Sequence, residues 1–542
     1  MKDVFDPRSY SYSETGVEFK TDDNELKELF DKAEELCKKN RKNFDGYDVL
    51  IEGEKYNGVW METQPMGGEM YAKRDINAAL SNILIFLRNQ RADGKFPGMI
   101  TYDSCVRTQA YYAWMQGCFL PDAALKLYYL TGKEPEYLTA LYNALEKYDS
   151  YLWKYRDSDD DGCLETWCVW DTGEDNFTVY ILNGAEELYV GANDEVVPPN
   201  KHGFPYESPQ YMSYSYACRR VLAEISDIIG NGKRDEWKQK AAAVKRRFRE
   251  YLWDDEKKAC YMKDADNKVV DCLSQENIKC MYGGIFEQDM ADSFIREHLL
   301  NEKEFWTPYP IPSIAINNPY FHVNEEYSNC YDKLAELGKG EGNINVNSWS
   351  GPVNGLTLQR TVSALLNYGH HAEIALVGKK LEKLLKMNKV FVQNYNPFTG
   401  KKHGEGDGYG PTILAFLEFV SLMYGVNIAC EEILWTGIES SGDYLYTQKM
   451  HGCDFTVKHE GMMNSAYIDG EKKFAFSENL RVKTDLKGNI ISVYGVSSEK
   501  SEASIEYKGK IFSALIRPNE EAVIKGKELV VVKHIDFKEG IC

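Results

Sequence analysis

Several common features are missing from this sequence of 542 residues, and each absence excludes a class of protein. No apolar run approaches the roughly 18 residues needed to cross a bilayer, and the N-terminus lacks the apolar core of a secretory signal. No C-x-x-C pair occurs among the 13 cysteines, which favours buried free thiols, such as Cys218 and Cys280, over disulfides. We therefore expect a cytoplasmic protein with no membrane partner.

Basic residues are outnumbered by acidic ones, with 64 Lys and Arg against 84 Asp and Glu. The formal net charge of −20 excludes nucleic acid and anionic membranes as partners, because either would require a basic face. The sequence has no dinucleotide fingerprint, P-loop, serine nucleophile elbow or zinc-ligand set, so we predict no cofactor and no metal in the site. Aromatic residues are abundant, with 37 Tyr, 23 Phe and 10 Trp. Their flat faces suit sugar rings, although a Tyr-rich core explains the count equally well.

The periodicity of apolar residues changes along the chain. From about residue 24 to about 425 they recur at helical spacing in paired segments, which predicts a mainly α fold arranged as a helical toroid. After about residue 440, short alternating runs broken by turn residues are typical of an antiparallel β-sandwich. The predicted divisions are an N-terminal extension (1–23), a helical barrel (24–430) and a smaller C-terminal β-sandwich domain (431–542).

Two long segments, 156–210 and 301–352, interrupt the helical pattern, and loops of this length are usually functional. The first begins with Asp157 to Gly162, which reads D-x-D-x-D-G like the opening of a calcium loop. Cys168 stands near the place of the bidentate Glu that should close such a loop, so calcium binding remains open.

The same segment then places Asp171 and Asp175 among tryptophans. A carboxyl beside an indole face loses water, which raises its pKa towards the value that a general acid needs. Capping of a helix by either Asp explains the pattern equally well.

This stretch resembles a motif of the toroidal inverting glycosidases, a clan that includes family 63 α-glucosidases, mannosylglycerate and glucosylglycerate hydrolases, and family 37 trehalases. In that clan a loop like R-D-x-D-G-D-G-L and an aromatic residue precede E-S-G-x-D-N-S, whose Asp is the proton donor. Here the matching residues are Asp171 to Asn176. The resemblance implies an (α/α)6 toroid barrel in which Asp175 is the general acid, while Asp171 and Trp170 contact substrate.

Three further segments match in order, so that the resemblance covers roughly residues 60 to 425. They are Gln90–Ile100 for Q-x-x-DG-x-x-P, Asn347–Gly355 for W-R-G-P and Val392–Gly400 for E-x-Y-D-P-x-T-G. The resemblance implies that Trp349 and Tyr395 lie at the site. Ser350 replaces the sugar-contacting Arg of the second motif, so a glucose specificity does not carry over.

The third motif departs from the clan at its catalytic base. Inverting hydrolysis needs a carboxylate to deprotonate water, but Gln393 stands at the position of that Glu. Three explanations remain open: the base has migrated, the nucleophile needs no base, or Gln393 is an inactivating substitution that traps substrate.

The best candidate for a migrated base is Glu405, because glycines on both sides bring the backbone close to a ligand; Glu62 and Glu207 are weaker alternatives. A solvated loop carboxylate is an equally good interpretation of Glu405. If no base is needed, inorganic phosphate could attack directly, and the basic loop Lys401 to His403 would suit an anion.

Two other segments are candidate walls of a pocket. Arg74 and Asp75 could grip sugar hydroxyls together, although an ion pair at a helix start is slightly favoured. Trp306 and Tyr309 are held in a Pro-rich loop as stacking platforms or as core residues.

The sequence therefore predicts a glycoside hydrolase that removes a terminal sugar from a small glycoside or oligosaccharide by an inverting mechanism, with Asp175 as acid and Glu405 as base. The alternatives are a glycoside phosphorylase and a sugar-binding protein that has lost its base.

Overall fold

A computed structural model describes residues 12–53, 55–185, 187–199, 204–338, 349–538 and 540–541. Residues 1–11 of the predicted extension, and Asn347 and Ser348 of the W-R-G-P match, lie outside this part. The α-helices of the described residues span Asn24–Lys39, Gln64–Tyr71, Ile76–Arg88, Leu120–Leu130, Pro135–Tyr155, Val169–Thr172, Thr178–Leu182, Pro209–Ile229, Arg234–Tyr251, Glu276–Gly283, Gln288–Phe294, Tyr331–Glu336, Gly355–Asn367, His371–Asn388 and Gly410–Tyr424. The helices predicted from periodicity are confirmed.

Local signals set the ends of these helices. The helix Pro209–Ile229 begins with Ser208, whose side chain accepts a hydrogen bond from the N–H of Tyr211, and it ends at Gly230 in a left-handed conformation. The helix packs along Arg234–Tyr251 as an antiparallel hairpin.

Two further helices, Gln64–Tyr71 and Glu276–Gly283, lie in the interior of the helical region. Nearly every residue of both is buried, so neither shows the one-sided apolar stripe that marks an amphipathic helix. The first contains Gly68, where a Cβ would lie 2.7 Å from the Cβ of Asn82 on the next helix. This glycine therefore allows the two helices to approach closely.

The C-terminal region consists of antiparallel strands in two sheets, as predicted. The seven-stranded sheet has the order Gly16–Thr21, Tyr444–Met450, Cys453–Glu460, Met463–Ile468, Glu471–Ser477, Ser501–Tyr507 and Lys510–Ile516. The six-stranded sheet has the order Val426–Ala429, Glu432–Gly437, Leu480–Asp485, Ile490–Gly495, Glu521–Lys525 and Glu528–Lys533.

The first strand of the larger sheet comes from the segment that we assigned to an N-terminal extension. Gly16–Thr21 pairs antiparallel with Tyr444–Met450, and Phe19 lies opposite Tyr446. Phe19 is buried among aromatic rings, including Phe30 of the first helix. Residues from both ends of the chain thus build one sheet.

Short strands hold the long loops in place. The small sheets are Arg41–Phe44 with Tyr47–Leu50, Gly58–Trp60 with Met99–Asp103 and Arg107–Tyr111, Glu165–Thr166 with Tyr206–Glu207, Trp253–Asp254 with Ala259–Cys260, and Val353–Asn354 with Asn394–Tyr395 and Lys402–His403. All of these pairs are antiparallel. The loops that carry the predicted site are therefore tied to one another.

Among the described residues every cysteine is a free thiol, and Cys218 and Cys280 are buried, which confirms the prediction for both. No helix in the same residues combines the length and apolar character that crossing a membrane requires.

Candidate active site

Asp175 lies in the turn between the short helices Val169–Thr172 and Thr178–Leu182. The residue is exposed to solvent, yet protein atoms packed around the carboxyl remove part of its water. This desolvation, together with the negative charges of Glu62 and Glu187, raises the pKa of Asp175 to about 7. The carboxyl can thus hold a proton near neutral pH, as a general acid must.

The buried ammonium of Lys279 anchors the backbone that leads into this turn. Its Nζ lies 2.8 Å from Glu174 Oε1 and 3.0 Å from Glu276 Oε1, and it donates to the carbonyl of Thr172 at 3.2 Å. Loss of one member would leave a buried charge uncompensated, so the network fixes the turn. Lys279 and Glu174 are 105 residues apart, and no local pattern in the sequence links them.

Asp171, predicted to touch substrate, faces protein instead. Arg156 Nη1 lies 2.6 Å from Asp171 Oδ2, and both side chains are fully buried. The backbone N–H groups of Met115 and Trp167 donate to the same carboxylate at 2.8 and 2.9 Å. Asp171 therefore has no surface for a ligand, and it ties three segments of the chain together.

Glu62 lies against the turn that carries Asp175. Its carboxylate accepts a hydrogen bond from Gln116 Nε2 at 3.0 Å and pairs with Arg360 Nη2 at 2.8 Å. Burial raises the pKa of Glu62, while the charge of Arg360 opposes that rise. Gly173 has φ +72°, and a Cβ on it would overlap with the Glu62 carboxylate. Only glycine meets both the conformation and the space at this position.

Glu52 is a third carboxyl of this cluster. The hydroxyl of Tyr409 donates to Glu52 Oε1 at 3.0 Å, and the N–H of Gly410 donates to the Glu52 carbonyl at 2.6 Å. Burial first, and then the charges of Glu62 and Asp175, raise the pKa of Glu52 to about 8. Glu52 is therefore predominantly protonated at neutral pH.

A cavity of about 200 Å³ adjoins the cluster through Tyr409. It is lined by Gly53, Lys55, Tyr56, Phe391, Val392, Gln393, His403, Gly404, Glu405, Gly406, Asp407 and Tyr409. Within it, the hydroxyl of Tyr56 donates to Gln393 Oε1 at 2.7 Å. The fold thus brings Gln393 and the Gly-rich loop together, and Tyr409 joins them to Glu52 beside Asp175.

Glu405 lies at the exposed rim of this cavity. Gly404 and Gly406 on either side have φ +77° and +108°, conformations that favour glycine. The ammonium of Lys55 donates to the Glu405 carbonyl at 2.5 Å, and so holds the loop from across the cavity. The carboxylate itself remains open to solvent.

Arg74 and Asp75, predicted to grip sugar hydroxyls, are engaged elsewhere. Arg74 pairs with Glu34 at 2.6 Å, while Asp75 caps the helix Ile76–Arg88 and pairs with Arg41 at 3.0 Å. Neither residue lines the cavity. The favoured alternative, an ion-paired helix start, describes them correctly.

Most of the predicted aromatic platforms are core residues. Trp349 and Trp306 are 2% and 3% exposed, and Tyr395 is fully buried, with its hydroxyl donating to the Val390 carbonyl at 2.7 Å. Trp170 differs because the residue remains partly accessible, and its ring packs edge-on against Trp114 with an interplanar angle of 73° and ring centroids 5.0 Å apart. Trp170 is therefore the remaining aromatic candidate beside the turn that carries Asp175.

The basic loop Lys401 to His403, considered above as a phosphate site, contributes one residue to the lining of the cavity. His403 lines it, but burial lowers the pKa of His403, so the ring is neutral near pH 7. Lys401 and Lys402 are exposed and are not part of the lining.

Glu52, Arg360 and Lys279 were missed by sequence reasoning. A signal existed for Arg360, since a charged residue at the centre of Leu356–Leu365, which is otherwise apolar or small and polar, is unusual in a buried helix. Glu52 follows a short apolar run without any motif, and only the fold places it beside Asp175.

A family model described as the mannosylglycerate hydrolase MGH1-like glycoside hydrolase domain matches residues 70–412. The search of curated proteins finds no significant match. The structure is similar to that of the GH63 mannosylglycerate hydrolase from Thermus thermophilus, with 16% identity and a TM-score of 0.58 over 72% of this chain and 100% of that chain.

Two larger proteins share the fold over more of this chain. A sialidase matches with a TM-score of 0.60 and 12% identity over 84% of this chain and 40% of its own. The GH78 rhamnosidase of Bacillus sp. GL1 matches with a TM-score of 0.53 and 12% identity over 83% of this chain and 40% of its own. The resemblance to toroidal glycosidases is confirmed by the family match, which covers more than half of the chain. The chain therefore belongs to the mannosylglycerate hydrolase MGH1-like glycoside hydrolase family and is a glycosidase.

Proposed function

We propose that this glycosidase removes a terminal sugar from a small cytoplasmic glycoside with inversion, and that Asp175 protonates the leaving oxygen. The observation that carries the proposal is the position of Asp175, in the clan's donor motif, with a pKa raised to about 7. The neighbouring cluster supports it, because Glu62 stays paired with Arg360, whereas no cation among the described residues pairs with Asp175 to hold it ionised.

The proposed base is Glu405. Gln393 cannot accept a proton, and Glu52, with a pKa of about 8, is a poor base at neutral pH. Glu405 is an exposed residue that lines the same cavity as Gln393. We propose that it activates the attacking water, while Gln393, Trp170 and Glu62 contact the sugar.

The finer architecture that we propose is an (α/α)6 barrel whose loops carry this site, followed by a β-sandwich. Helix hairpins such as Pro209–Ile229 with Arg234–Tyr251 support the first part. Contacts between strands of the two sheets, such as Glu432–Gly437 with Cys453–Glu460, support the second.

The substrates to test first are mannosides and glucosides of small organic acids, because the matched family is described by mannosylglycerate hydrolase. Ser350 replaces the clan's Arg, and its hydroxyl accepts a hydrogen bond from the Thr178 N–H at 2.5 Å. A positive charge is thus absent from that position, and we expect the preferred sugar to differ from that of Arg-containing relatives.

The decisive experiment compares the wild type, Glu405→Gln, Gln393→Glu and the double variant, with the product anomer followed by proton NMR. Glu405→Gln should lower turnover by about 100-fold or more, since a general base contributes roughly 10²–10⁴. Gln393→Glu should raise hydrolysis, and the double variant should keep that gain. An unimpaired Glu405→Gln enzyme would refute Glu405 as base, and a product of retained configuration would refute inversion.

The same assays separate the alternatives. Release that depends on inorganic phosphate and yields a sugar phosphate would establish a phosphorylase. Tight binding of a sugar, with no release from any glycoside by the wild type, would instead identify a binding protein.

A further inference from the structure

Two buried carboxyls share one ammonium in the interior of the helical region. Lys279 Nζ lies 2.8 Å from Glu174 Oε1 and 3.0 Å from Glu276 Oε1, and these three side chains are at most 3% exposed. The same nitrogen donates to the carbonyl of Thr172 at 3.2 Å and to Gln210 Oε1 at 3.0 Å. An ammonium has three protons, so these four acceptors use Lys279 completely.

The cluster of Glu174, Glu276 and Lys279 carries one negative charge too many if both carboxyls are ionised. Arg360, on a neighbouring helix, does not remove the excess, because it pairs with Glu62. An uncompensated buried charge is strongly unfavourable, and a group in that position tends to change its protonation state instead. One proton on the two carboxyls leaves the cluster neutral.

The remaining oxygens of both carboxyls indicate the place of such a proton. Oε2 of Glu174 and Oε2 of Glu276 are buried, and no donor within the described residues reaches either. Two carboxylates cannot hydrogen-bond to each other, but a carboxyl and a carboxylate can, through one proton. Burial, opposed by the charge of Lys279 and aided by the charge of Glu174 and a hydrogen bond with it, raises the pKa of Glu276 to about 7.

A second buried pair of the chain provides the contrast. Lys73 Nζ lies 2.5 Å from Glu418 Oε2, and Asn427 Nδ2 donates to Oε1 of the same carboxylate at 2.5 Å. Both oxygens of Glu418 thus have a donor, and one ammonium serves one carboxylate. Although burial acts in the opposite direction, the charge of Lys73 lowers the pKa of Glu418. Burial beside a lysine therefore does not by itself protonate a glutamate of this chain.

Other titratable groups surround the cluster. The helix Glu276–Gly283 packs against Pro209–Ile229, Gly355–Asn367 and Ala259–Cys260. The titratable groups beside the cluster are Tyr180, Tyr214, Cys260, Cys272, Cys280, Arg360 and Glu62. Burial raises the pKa of both phenols and of the Cys272 and Cys280 thiols, which therefore stay neutral near pH 7. Near neutral pH the charge of the cluster thus depends on the proton of its two carboxyls.

The cluster holds the turn of Asp175 on both sides of its glycine. Lys279 binds the carbonyl of Thr172, which comes before that glycine. Glu174, which directly precedes Asp175, is held by Lys279 and accepts a hydrogen bond from Gln275 Nε2 at 3.0 Å. Loss of the proton would leave two carboxylates on one ammonium, and their repulsion would act on Glu174 and hence on its neighbour Asp175.

We propose that Glu174 and Glu276 share one proton beside Lys279, and that this neutral cluster positions the carboxyl of Asp175. The proton lies between the two carboxyls while Lys279 keeps its ammonium, so the three side chains together carry no net charge. All three are positioning residues, because they are buried and act through the turn. The positioning role rests on the proposed function, whereas the shared proton does not.

The number of protons released on unfolding tests the shared proton without any substrate, and it follows from the slope of stability against pH. Folding raises the pKa of Glu276 from 4.5 to about 7, so the bound proton stabilises the wild type fully below about pH 4.5, and this is lost as the pH rises through 7. Near pH 6, Glu276→Gln should therefore release about one proton fewer than the wild type. Relative to wild type, its thermal midpoint should be higher at about pH 8.5 than at about pH 4.5.

Glu418→Gln is the matched control, because it also removes a buried carboxyl from a lysine, but one whose pKa is lowered. Its proton release near pH 6 should equal that of the wild type. Glu174→Gln should lower the release as Glu276→Gln does, and it tests the same proton where Glu276→Gln does not fold. An unchanged release in the folded variant, or an equal decrease in Glu418→Gln, would overturn the shared proton.

Turnover on two kinds of leaving group tests the positioning role. Glu276→Ala should lower kcat by about tenfold or more on an alkyl glycoside, whose leaving oxygen needs a proton, and by less than about threefold on a dinitrophenyl glycoside. Glu276→Gln keeps the shape and a hydrogen-bond donor, so at pH 6 it should restore most of the lost activity. Equal losses on both substrates, or no recovery in Glu276→Gln, would overturn the positioning role. Glu276→Asp supplies the same comparison if the alanine variant does not fold.

The shared proton and the proposed function fail in different ways. If Asp175 is not the acid, Asp175→Asn loses equal activity on both substrates, while the proton release of Glu276→Gln still decreases. If the two carboxyls share no proton, the release is unchanged, while Asp175→Asn still spares the dinitrophenyl glycoside.

Discussion

The carboxylate of Glu62 lies directly against the Cα of Gly173, two residues before Asp175 in the chain. The contact couples three separate requirements: a left-handed backbone at Gly173, a paired Glu62 and a fixed turn for Asp175. Because Glu62 also repels Asp175 electrostatically, this packing contributes to the raised pKa of Asp175.

Replacing Gly173 with alanine should displace Glu62 and lower turnover by about tenfold or more, since small displacements of catalytic groups are costly. The φ of +72° adds backbone strain of about 1–2 kcal/mol. Gly230→Ala is the matched control, because Gly230 also ends a helix with φ +67° but has open space around it. Thermal unfolding and steady-state assays should show strain in both variants and lost activity only in Gly173→Ala. Equal activity losses would contradict this explanation.

Asp175→Asn should lower turnover by roughly 10²–10⁴-fold, the usual contribution of a general acid. The loss should be much smaller for a dinitrophenyl glycoside, because that leaving group needs no proton. A loss of equal size on both substrates would show that Asp175 is not the acid.

The stability of Asp175→Asn should depend on pH. Folding raises the pKa of Asp175 from 3.8 to about 7, so the proton that the wild type binds on folding stabilises it fully below about pH 4. That stabilisation is lost as the pH rises through 7. Relative to wild type, the thermal midpoint of the variant should therefore be higher at pH 8 than at pH 4. A difference that does not change with pH would contradict the raised pKa.

In the pH profile of kcat/KM, activity should decrease on the alkaline side with a midpoint near pH 7, because Asp175 loses its proton there. Glu187→Gln removes one charge that raises this pKa, so it should move the limb to lower pH while activity at pH 5.5 stays close to wild type. Glu136→Gln, which removes an exposed charge in another helix, should leave the limb in place. If the alkaline limb of the Glu187→Gln variant stays at the wild-type pH, the ionisation of Asp175 does not set that limb.

Asp171→Asn should destabilise the protein by about 3–5 kcal/mol, because it leaves the fully buried Arg156 without its counter-charge. The matched control is Asp227→Asn, which breaks the exposed pair with Arg234 and should cost less than about 1 kcal/mol. Denaturant unfolding of both variants checks the difference. Similar midpoints would mean that the buried pair contributes no more than a surface pair.

The helices were predictable because their apolar stripes are local properties of the sequence. Asn24–Lys39 and Pro135–Tyr155 each bury one face, whereas Gln64–Tyr71 has no polar face from which a stripe could be distinguished. The sheet membership of Gly16–Thr21 depends on a partner more than 400 residues away, and no local pattern specifies such a pairing.

The candidate site was predicted only where a motif pointed to it. The motif singled out Asp175 and Gln393, but it also suggested substrate contacts for Asp171 and Tyr395, whose polar atoms are used inside the protein. Glu52 and Lys279 depend on distant partners, Tyr409 and Glu174. Long-range pairing of charges, rather than residue type, decides which carboxyls of this chain remain available for chemistry.

The pairing of Gly16–Thr21 with Tyr444–Met450 also constrains how the chain assembles during synthesis. Ribosomes release the first of these strands long before the second exists, so the early strand stays without this partner until almost the whole helical region has emerged. Until then its open edge is available to other chains, and closing so long a loop carries an entropic cost. The pairing of these two strands therefore joins the start of the helical region to the C-terminal sheets only after nearly all of the chain has been made.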